Sequence, residues 1–195
     1  MIDGVKHFPT EHDAQYSRIF IGAAWPGVRA GWIVVVGEHG SEYWLGRPRL
    51  DVLDEDTADR LHSLVGKVAA MREYYHPECV LADGRDVAAM QFVAEVGKGV
   101  LRVEHSLLCE MAGPLAYAAP VLSQMYEPRR PGNRLVIPRA SRLVGELMTV
   151  PRSEDLGKLK LADYPGVAAL AFAAIGLDLS WRDPGTVRPT QVDWR

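Results

Sequence analysis

The chain has 195 residues, 48% of them hydrophobic and 24% charged, and its formal net charge is −3 at pH 7. This length and composition predict one soluble domain with short extensions, and the small negative charge excludes a polycation, so contact with nucleic acid would need a local basic patch. The first residues lack the apolar core of a signal peptide, and no apolar run reaches the ~20 residues of a membrane span, which predicts a cytoplasmic protein.

The first half of the chain is expected to open with an antiparallel meander. Residues 1–17 are polar and predict a leader without regular structure. Two apolar runs and a short aromatic run follow, separated by turn residues, and each run predicts a strand. The expected strands span residues 18–24, 32–37 and 42–47, with turns at 25–27 and 38–41.

The hydrophobic period changes between residues 51 and 75. Apolar residues there recur at helical spacing, which predicts a helix that ends at His76 and Pro77. Three consecutive acids, Asp54 to Asp56, come before the apolar stripe. Acidic side chains are favourable near the positive end of a helix dipole, so we expect them at the N-terminus of this helix.

The second half of the chain alternates short strands with helices. An apolar run over 79–83 ends in Asp83, and such a strand delivers its last side chain to the carboxyl edge of the sheet, where α/β proteins place their chemistry. The remaining runs predict helices over 86–96, 111–126, 140–150 and 166–175 and strands over 101–104 and 134–137. The helix over 166–175 is almost wholly apolar and must be buried.

The order of these elements predicts an α/β domain of the ribonuclease H-like class. Its sheet is expected to be mixed, with a three-stranded antiparallel meander plus parallel strands, and with helices on both faces. We expect this domain to span residues 18–177, and a polar tail to span 178–195.

Four motifs in sequence make the chain resemble the C-terminal nuclease domain of the large terminase subunit of tailed bacteriophages. The first is Gly22-Ala-Ala-Trp-Pro-Gly27, where that family has an apolar strand ending in Gly-x-Asp. The others are the strand ending Val80-Leu-Ala-Asp83, the pair Arg134-Leu-Val-Ile-Pro138 and Leu143-Val-Gly-Glu-Leu147, and the run Asp163 to Ala173. The resemblance covers residues 18–177.

The resemblance implies a two-metal site for Mg²⁺ or Mn²⁺, with one acid missing. Two-metal phosphodiester hydrolysis needs carboxylates that converge on ions about 3.5–4 Å apart. Ala24 stands where the family has its first Asp, so position 24 is a vacated metal position. Asp83 and Asp163 are the implied catalytic residues and metal ligands, with Asp86 as a further ligand and Glu104 as a weaker candidate. Each Asp is equally well suited to cap a turn or helix.

A basic segment follows the predicted site in the chain. Residues 129–160 hold eight Lys and Arg and three acids, and eight minus three gives +5. Such a patch suits a phosphate backbone, although a solvated face or contact with an acidic protein fits it equally well. The candidate DNA-binding residues are Arg129, Arg130, Arg134, Arg139 and Arg142.

These observations predict a phage or prophage terminase nuclease-like protein that cleaves or binds double-stranded DNA during packaging in the bacterial cytoplasm. Loss of the acid at Ala24 predicts weak or absent cleavage. The chain has no Gly-rich phosphate-binding loop ending in Gly-Lys-Ser/Thr, so a separate ATPase subunit is expected as partner, with the small terminase subunit or the portal as others. Two alternatives remain: a RuvC-like Holliday junction resolvase, which the stretch from Gly22 to Trp32 also resembles, and a non-catalytic DNA- or partner-binding domain.

Overall fold

The computed structural model of the chain describes residues 15–44, 46–82, 100–102, 134–150 and 163–182. These residues form a sheet and helices on both sides of it. The strands are β1 Tyr16–Ala24, β2 Gly31–Trp44, β3 Arg47–Ala58, β4 Cys79–Ala82, β5 Val100–Arg102 and β6 Leu135–Val136, and the helices are α1 Leu61–Tyr75, α2 Arg142–Thr149 and α3 Pro165–Arg182. Within these ranges, no helix is both long and apolar enough to cross a membrane.

The sheet is mixed, with the strand order β5-β4-β1-β2-β3-β6. The first three strands form an antiparallel meander. β4 pairs in parallel with β1, β5 with β4, and β6 with β3. This arrangement confirms the predicted ribonuclease H-like architecture, in which a meander is extended by parallel strands.

Helices cover both faces of the sheet, as predicted, because the strand side chains alternate between two apolar clusters. We call the side that packs against α1 the α1 face, and Ile21 and Ile33 belong to it together with Leu64 of α1. We call the opposite side the α3 face, where Phe20 and Val34 pack against α2 and α3. Each face therefore has its own core.

Helix α3 lies against the sheet along its first twelve residues, from 165 to 176, and all of them are buried. Small side chains allow a close approach: a Cβ atom added to Gly22 would lie 1.8 Å from the carbonyl oxygen of Ala169. The backbone of the helix thus contacts the backbone of β1. This confirms the predicted buried helix, which extends beyond residue 177 to Arg182.

The predicted third strand and the predicted start of α1 are wrong. Residues 38–41 do not form a turn but continue β2, and the chain reverses at Gly46, whose φ of 77° suits a residue without a side chain. β3 then includes residues 54–56, and α1 begins only at Leu61. The three acids therefore lie on a strand, where the pairing of β3 with β2 outweighs their preference for a helix N-terminus.

Several predicted boundaries agree with the structure to within two residues where it describes them, although α3 extends seven residues beyond its predicted end at residue 175. Helix α1 ends at Tyr75, followed by His76 in the left-handed conformation, and Ser141 caps α2 by accepting a hydrogen bond from the Leu143 amide. The helices expected over 86–96 and 111–126 lie outside the described residues.

Candidate functional site

The candidate site lies at the end of the sheet where β1 finishes and β2 begins. Ala24 pairs with Trp32, and Trp32 pairs with Thr57 near the end of β3. We call this end of the sheet, marked by Ala24, Trp32 and Thr57, the Ala24 end. β4 finishes at the same end, because Ala82 pairs with Ala23. Carboxyl ends of parallel strands meet here, as the sequence predicts for a site in this fold class.

The side chain at position 24 offers no oxygen to a metal ion. Ala24 is 7% exposed and belongs to the apolar cluster of the α3 face. Among the residues that the structure describes, no group of three or more His, Cys, Asp or Glu side chains could hold a metal ion. The described part of the Ala24 end therefore does not fit a two-metal centre by itself.

Of the other predicted metal ligands, the structure describes only Asp163. Asp163 is described, and it is an exposed residue two positions before α3 begins. Asp83 follows Ala82 directly in the chain, but Asp83, Asp86 and Glu104 lie outside the described residues. The metal ligands thus stay a prediction.

Glu146 of α2, the acid of the motif Leu143 to Leu147, is a carboxylate near the Ala24 end that the sequence did not place in the candidate site. Its Oε2 accepts a hydrogen bond of 2.6 Å from the backbone amide of Val167, in the first turn of α3. Burial raises the pKa of Glu146, and hydrogen bonds from the amides of Val167 and Gly166, together with the charge of Arg29, partly oppose this rise. Glu146 thus satisfies amides at the N-terminus of α3 and ties α2 to it.

Glu55 performs the same task at the N-terminus of α2. It accepts hydrogen bonds of 2.6 Å from the Ser141 hydroxyl, 2.6 Å from the Arg142 amide and 3.3 Å from the Leu143 amide. Glu55 pairs with Val34, a residue of the α3 face, so its side chain leaves the sheet toward α2. Two carboxylates therefore link β3 to α2 and α2 to α3.

Arg142, the first residue of α2, is held over the Ala24 end by three neighbours. Its Nη1 donates a hydrogen bond of 3.2 Å to Thr57 Oγ1, and its Nε lies 3.8 Å from Glu55 Oε1. Its Cζ lies 5.5 Å from the centre of the Trp32 ring, within cation–π range. The side chain is nevertheless 57% exposed, so a cation with a fixed direction faces solvent.

The remaining predicted DNA-binding arginines are not equivalent to Arg142. Arg139 is exposed in the turn before α2. Arg134 is 6% exposed, and its Nε donates a hydrogen bond of 2.8 Å to the carbonyl oxygen of Pro48, away from the Ala24 end. Arg129 and Arg130 lie outside the described residues.

A second polar cluster lies toward the opposite end of the sheet. The Tyr16 hydroxyl donates to Asp51 at 2.9 Å, and Arg49 joins Asp51 to Glu42. His39, which is buried, accepts a hydrogen bond from the Glu42 amide at 3.2 Å. These side chains bond one another and the hairpin backbone, which is the arrangement of a structural cluster.

Sequence reasoning missed Glu55, Glu146 and Thr57 as parts of this end. It placed Glu55 before a helix, and it quoted Glu146 within the motif Leu143 to Leu147 and counted its charge without assigning it a partner. One signal was available, since a Ser directly before an apolar-periodic segment indicates a helix N-terminus at Ser141. Glu55, the other side chain that accepts from the amides of this N-terminus, lies 86 residues before Ser141, and no local pattern connects Glu55 with Ser141.

Comparison with known proteins supports the fold. No protein-family model matches the chain, and no curated protein matches it. The crystal structure of the nuclease domain of g2p, the large terminase of bacteriophage SPP1, with bound Mn, matches with a TM-score of 0.58 and 13% sequence identity. The match covers 89% of this chain and 93% of that one. The chain therefore has the fold of a large-terminase nuclease domain, which confirms the fold implied by the four motifs.

Proposed function

We propose that this chain is a terminase nuclease-like protein that engages double-stranded DNA at its Ala24 end during phage or prophage DNA packaging. The observation that carries this proposal is the match, over 89% of the chain, to a phage large-terminase nuclease domain solved with Mn. The expected compartment is the bacterial cytoplasm. The expected partners are a separate ATPase subunit, a small terminase subunit or the portal.

Cleavage by the chain as it stands is proposed to be weak or absent. A two-metal site needs several carboxylate oxygens, and a methyl group at Ala24 supplies none. Asp83, Asp163 and Asp86 are the proposed ligands for Mg²⁺ or Mn²⁺. None of these three residues stands at position 24, so the place of the first acid has no oxygen ligand. This favours DNA binding over catalysis.

The DNA contacts are proposed to come from the basic side chains near α2. Arg142 is the exposed first residue of this helix, and Arg139 is exposed in the turn before it. Arg129 and Arg130 are proposed to extend the same patch. Arg134 is not included, because its buried guanidinium already donates to Pro48. Arginine suits this task, since its planar group donates two parallel hydrogen bonds to a phosphate.

The test compares cleavage of supercoiled plasmid in Mn²⁺ by the chain as given, by Ala24→Asp, and by Ala24→Asp combined with Asp83→Asn. We expect little cleavage by the first, clear cleavage by the second, and none by the third. Binding to a double-stranded oligonucleotide is measured in parallel, without metal.

Three other outcomes would change the proposal. If the chain as given cuts and Asp83→Asn alone abolishes cutting, another acid supplies the missing donor. A strong preference for four-way junctions over linear duplex would favour the RuvC-like resolvase. If no variant cuts or binds DNA, the nuclease-like proposal is wrong and a partner-binding domain replaces it.

A further inference from the structure

We propose that Trp32, Thr57 and Glu55 form a cradle that positions Arg142 to bind one phosphate of a DNA backbone at the Ala24 end. This inference rests on the proposed function and adds to it the residues that fix the orientation of one DNA-contacting guanidinium. Arg142 is the contact residue in this arrangement, and the three cradle residues are positioning residues.

The cradle restrains the guanidinium from more than one side. Trp32 lies under it at 5.5 Å, and Thr57 Oγ1 accepts a hydrogen bond from Nη1 at 3.2 Å. The Arg142 backbone amide is fixed by Glu55 Oε1 at 2.6 Å, so both ends of the side chain are held. An arginine that is ordered before binding loses less side-chain entropy when it meets a phosphate.

Glu55 lies within ion-pair distance of Arg142 but makes no hydrogen bond to the guanidinium. Its oxygens accept from the Ser141 hydroxyl and from two backbone amides of α2, and the 3.8 Å between its Oε1 and Arg142 Nε is too long for a hydrogen bond. Among the described residues, Thr57 is the acceptor that the guanidinium uses. The other donors of the group remain for a phosphate.

The location of Arg142 fits a backbone contact next to the candidate site. Trp32 pairs directly with Ala24 across the first hairpin, and Thr57 pairs with Trp32. The cradle therefore occupies the two strands that follow β1 across the sheet. A phosphate bound there lies beside the vacated metal position, which is where a DNA strand must run if the site engages it.

The experiment measures binding of a double-stranded oligonucleotide by fluorescence anisotropy over a range of salt concentrations, with the full chain. Arg142→Ala is expected to weaken binding about tenfold, as for loss of one charge-assisted hydrogen-bonded contact, and to lower the salt slope by about one ion. Arg142→Lys is expected to keep the slope and lose part of the affinity, because the charge stays but the planar donors are lost.

Thr57→Val tests the cradle itself, because it replaces the hydroxyl that accepts from Arg142 with a methyl group of similar size. It is expected to weaken binding about threefold with an unchanged salt slope. The matched control is Thr149→Val, since the Thr149 hydroxyl donates to the Glu146 carbonyl at the far end of the same helix. Arg72→Ala, on the exposed side of α1, is the control for loss of one positive charge.

The outcomes separate this inference from the proposed function. If wild type binds duplex DNA but Arg142→Ala behaves like Arg72→Ala in both affinity and slope, the contact is wrong and the proposed function stands. If Arg142→Ala has the expected effect but Thr57→Val matches Thr149→Val, the cradle is wrong. A wild-type chain that binds no duplex overturns the proposed function and this inference together.

Discussion

At Gly22, on the α3 face of the sheet, the backbones of β1 and α3 touch, whereas Gly37, on the α1 face, is bordered by side chains of β1 and β3. A Cβ added to Gly22 would meet backbone atoms of Ala169 and Ala173, at 1.8 and 2.6 Å. A Cβ added to Gly37, on the α1 face, would meet side-chain atoms of Tyr16 and Leu53, at 2.6 and 2.9 Å. The spacing at Gly22 is thus set by two backbones, whereas the spacing at Gly37 is set by side chains.

The carboxylates of the two faces differ in the same way. Glu55 and Glu146, toward α2 and α3, accept hydrogen bonds from backbone amides at helix N-termini. Asp54 and Asp56, toward α1, accept from the amides of the residues that follow them on β3, and also from side chains of α1: the Tyr75 hydroxyl at 3.2 Å and Lys67 Nζ at 2.7 Å. The acids of β3 therefore alternate between two structural tasks.

The largest expected effect comes from Gly22→Ala. The added methyl cannot be accommodated without moving α3, because the atoms that it meets belong to the helix backbone. We expect a loss of about 3 kcal/mol in the free energy of unfolding, at the upper end of the usual range for overpacking. Urea denaturation with a far-ultraviolet circular dichroism signal measures it.

Two controls make this prediction specific to the α3 face. Gly37→Ala should cost clearly less than Gly22→Ala, and Gly27→Ala, with no atom within 4 Å of its added Cβ, should change stability by less than about 0.5 kcal/mol. Equal losses for Gly22→Ala and Gly37→Ala would contradict the difference between the faces.

Burial raises the pKa of the Cys79 thiol to about 12, so in a Cys109→Ser background this thiol should react slowly with iodoacetamide unless α3 moves.

A smaller effect is expected from Tyr75→Phe on the α1 face. This change removes the hydroxyl that donates to Asp54 and leaves the rest of the ring in the core. We expect a loss of about 1 kcal/mol, the usual net contribution of one hydrogen bond, measured by thermal unfolding. Tyr43→Phe, at an exposed position of β2, serves as the control, and a loss as large as that of Gly22→Ala would mean that the α1 face is equally rigid.

The smallest effect concerns the pH dependence of stability and Glu146. Burial raises the pKa of Glu146 in the folded state, so the native protein takes up this proton at a higher pH than the unfolded chain does. Its contribution to stability is therefore full below the ordinary pKa of a glutamate and falls as the pH rises through the raised value. Glu146→Gln keeps an oxygen acceptor for Val167 and should flatten this part of the profile.

Urea unfolding at intervals from about pH 4 to about pH 7 measures this difference, because the window contains the ordinary pKa of glutamate and the range above it. Glu73→Gln, exposed on α1, is the matched control for loss of one negative charge. A profile that is as steep in Glu146→Gln as in wild type would show that Glu146 titrates alike in the folded and unfolded chains.

Local sequence signals predicted much of the fold. The apolar runs at β1 and β4, the end of α1 at His76, and the buried α3 follow from features within a few residues of each other, and the structure confirms them. β3 was missed because its acids have distant partners: Asp54 bonds Tyr75, 21 residues later, and Asp56 bonds Lys67, 11 residues later. Without those partners, three consecutive acids favour a helix N-terminus.

The candidate site was predictable only in outline. The position of Ala24 at the end of β1 followed from the first motif, and the structure places it there. The partners of Glu55 and Glu146 could not be identified, because their bonds join β3 to α2 across 86 residues and α2 to α3 across 21. The same chemistry, an acid near a helix N-terminus, recurs at both, but only the folded chain shows which helix each acid serves.

The close contact between α3 and β1 also bears on the variant Ala24→Asp. Ala24 comes two residues after Gly22 and therefore points to the same side of the strand. The backbones of β1 and α3 meet at Gly22, so the strand is held against the helix two residues before position 24. An aspartate introduced at position 24 thus joins a strand that is already held against α3, so a change in cleavage by Ala24→Asp reports the effect of one added carboxylate.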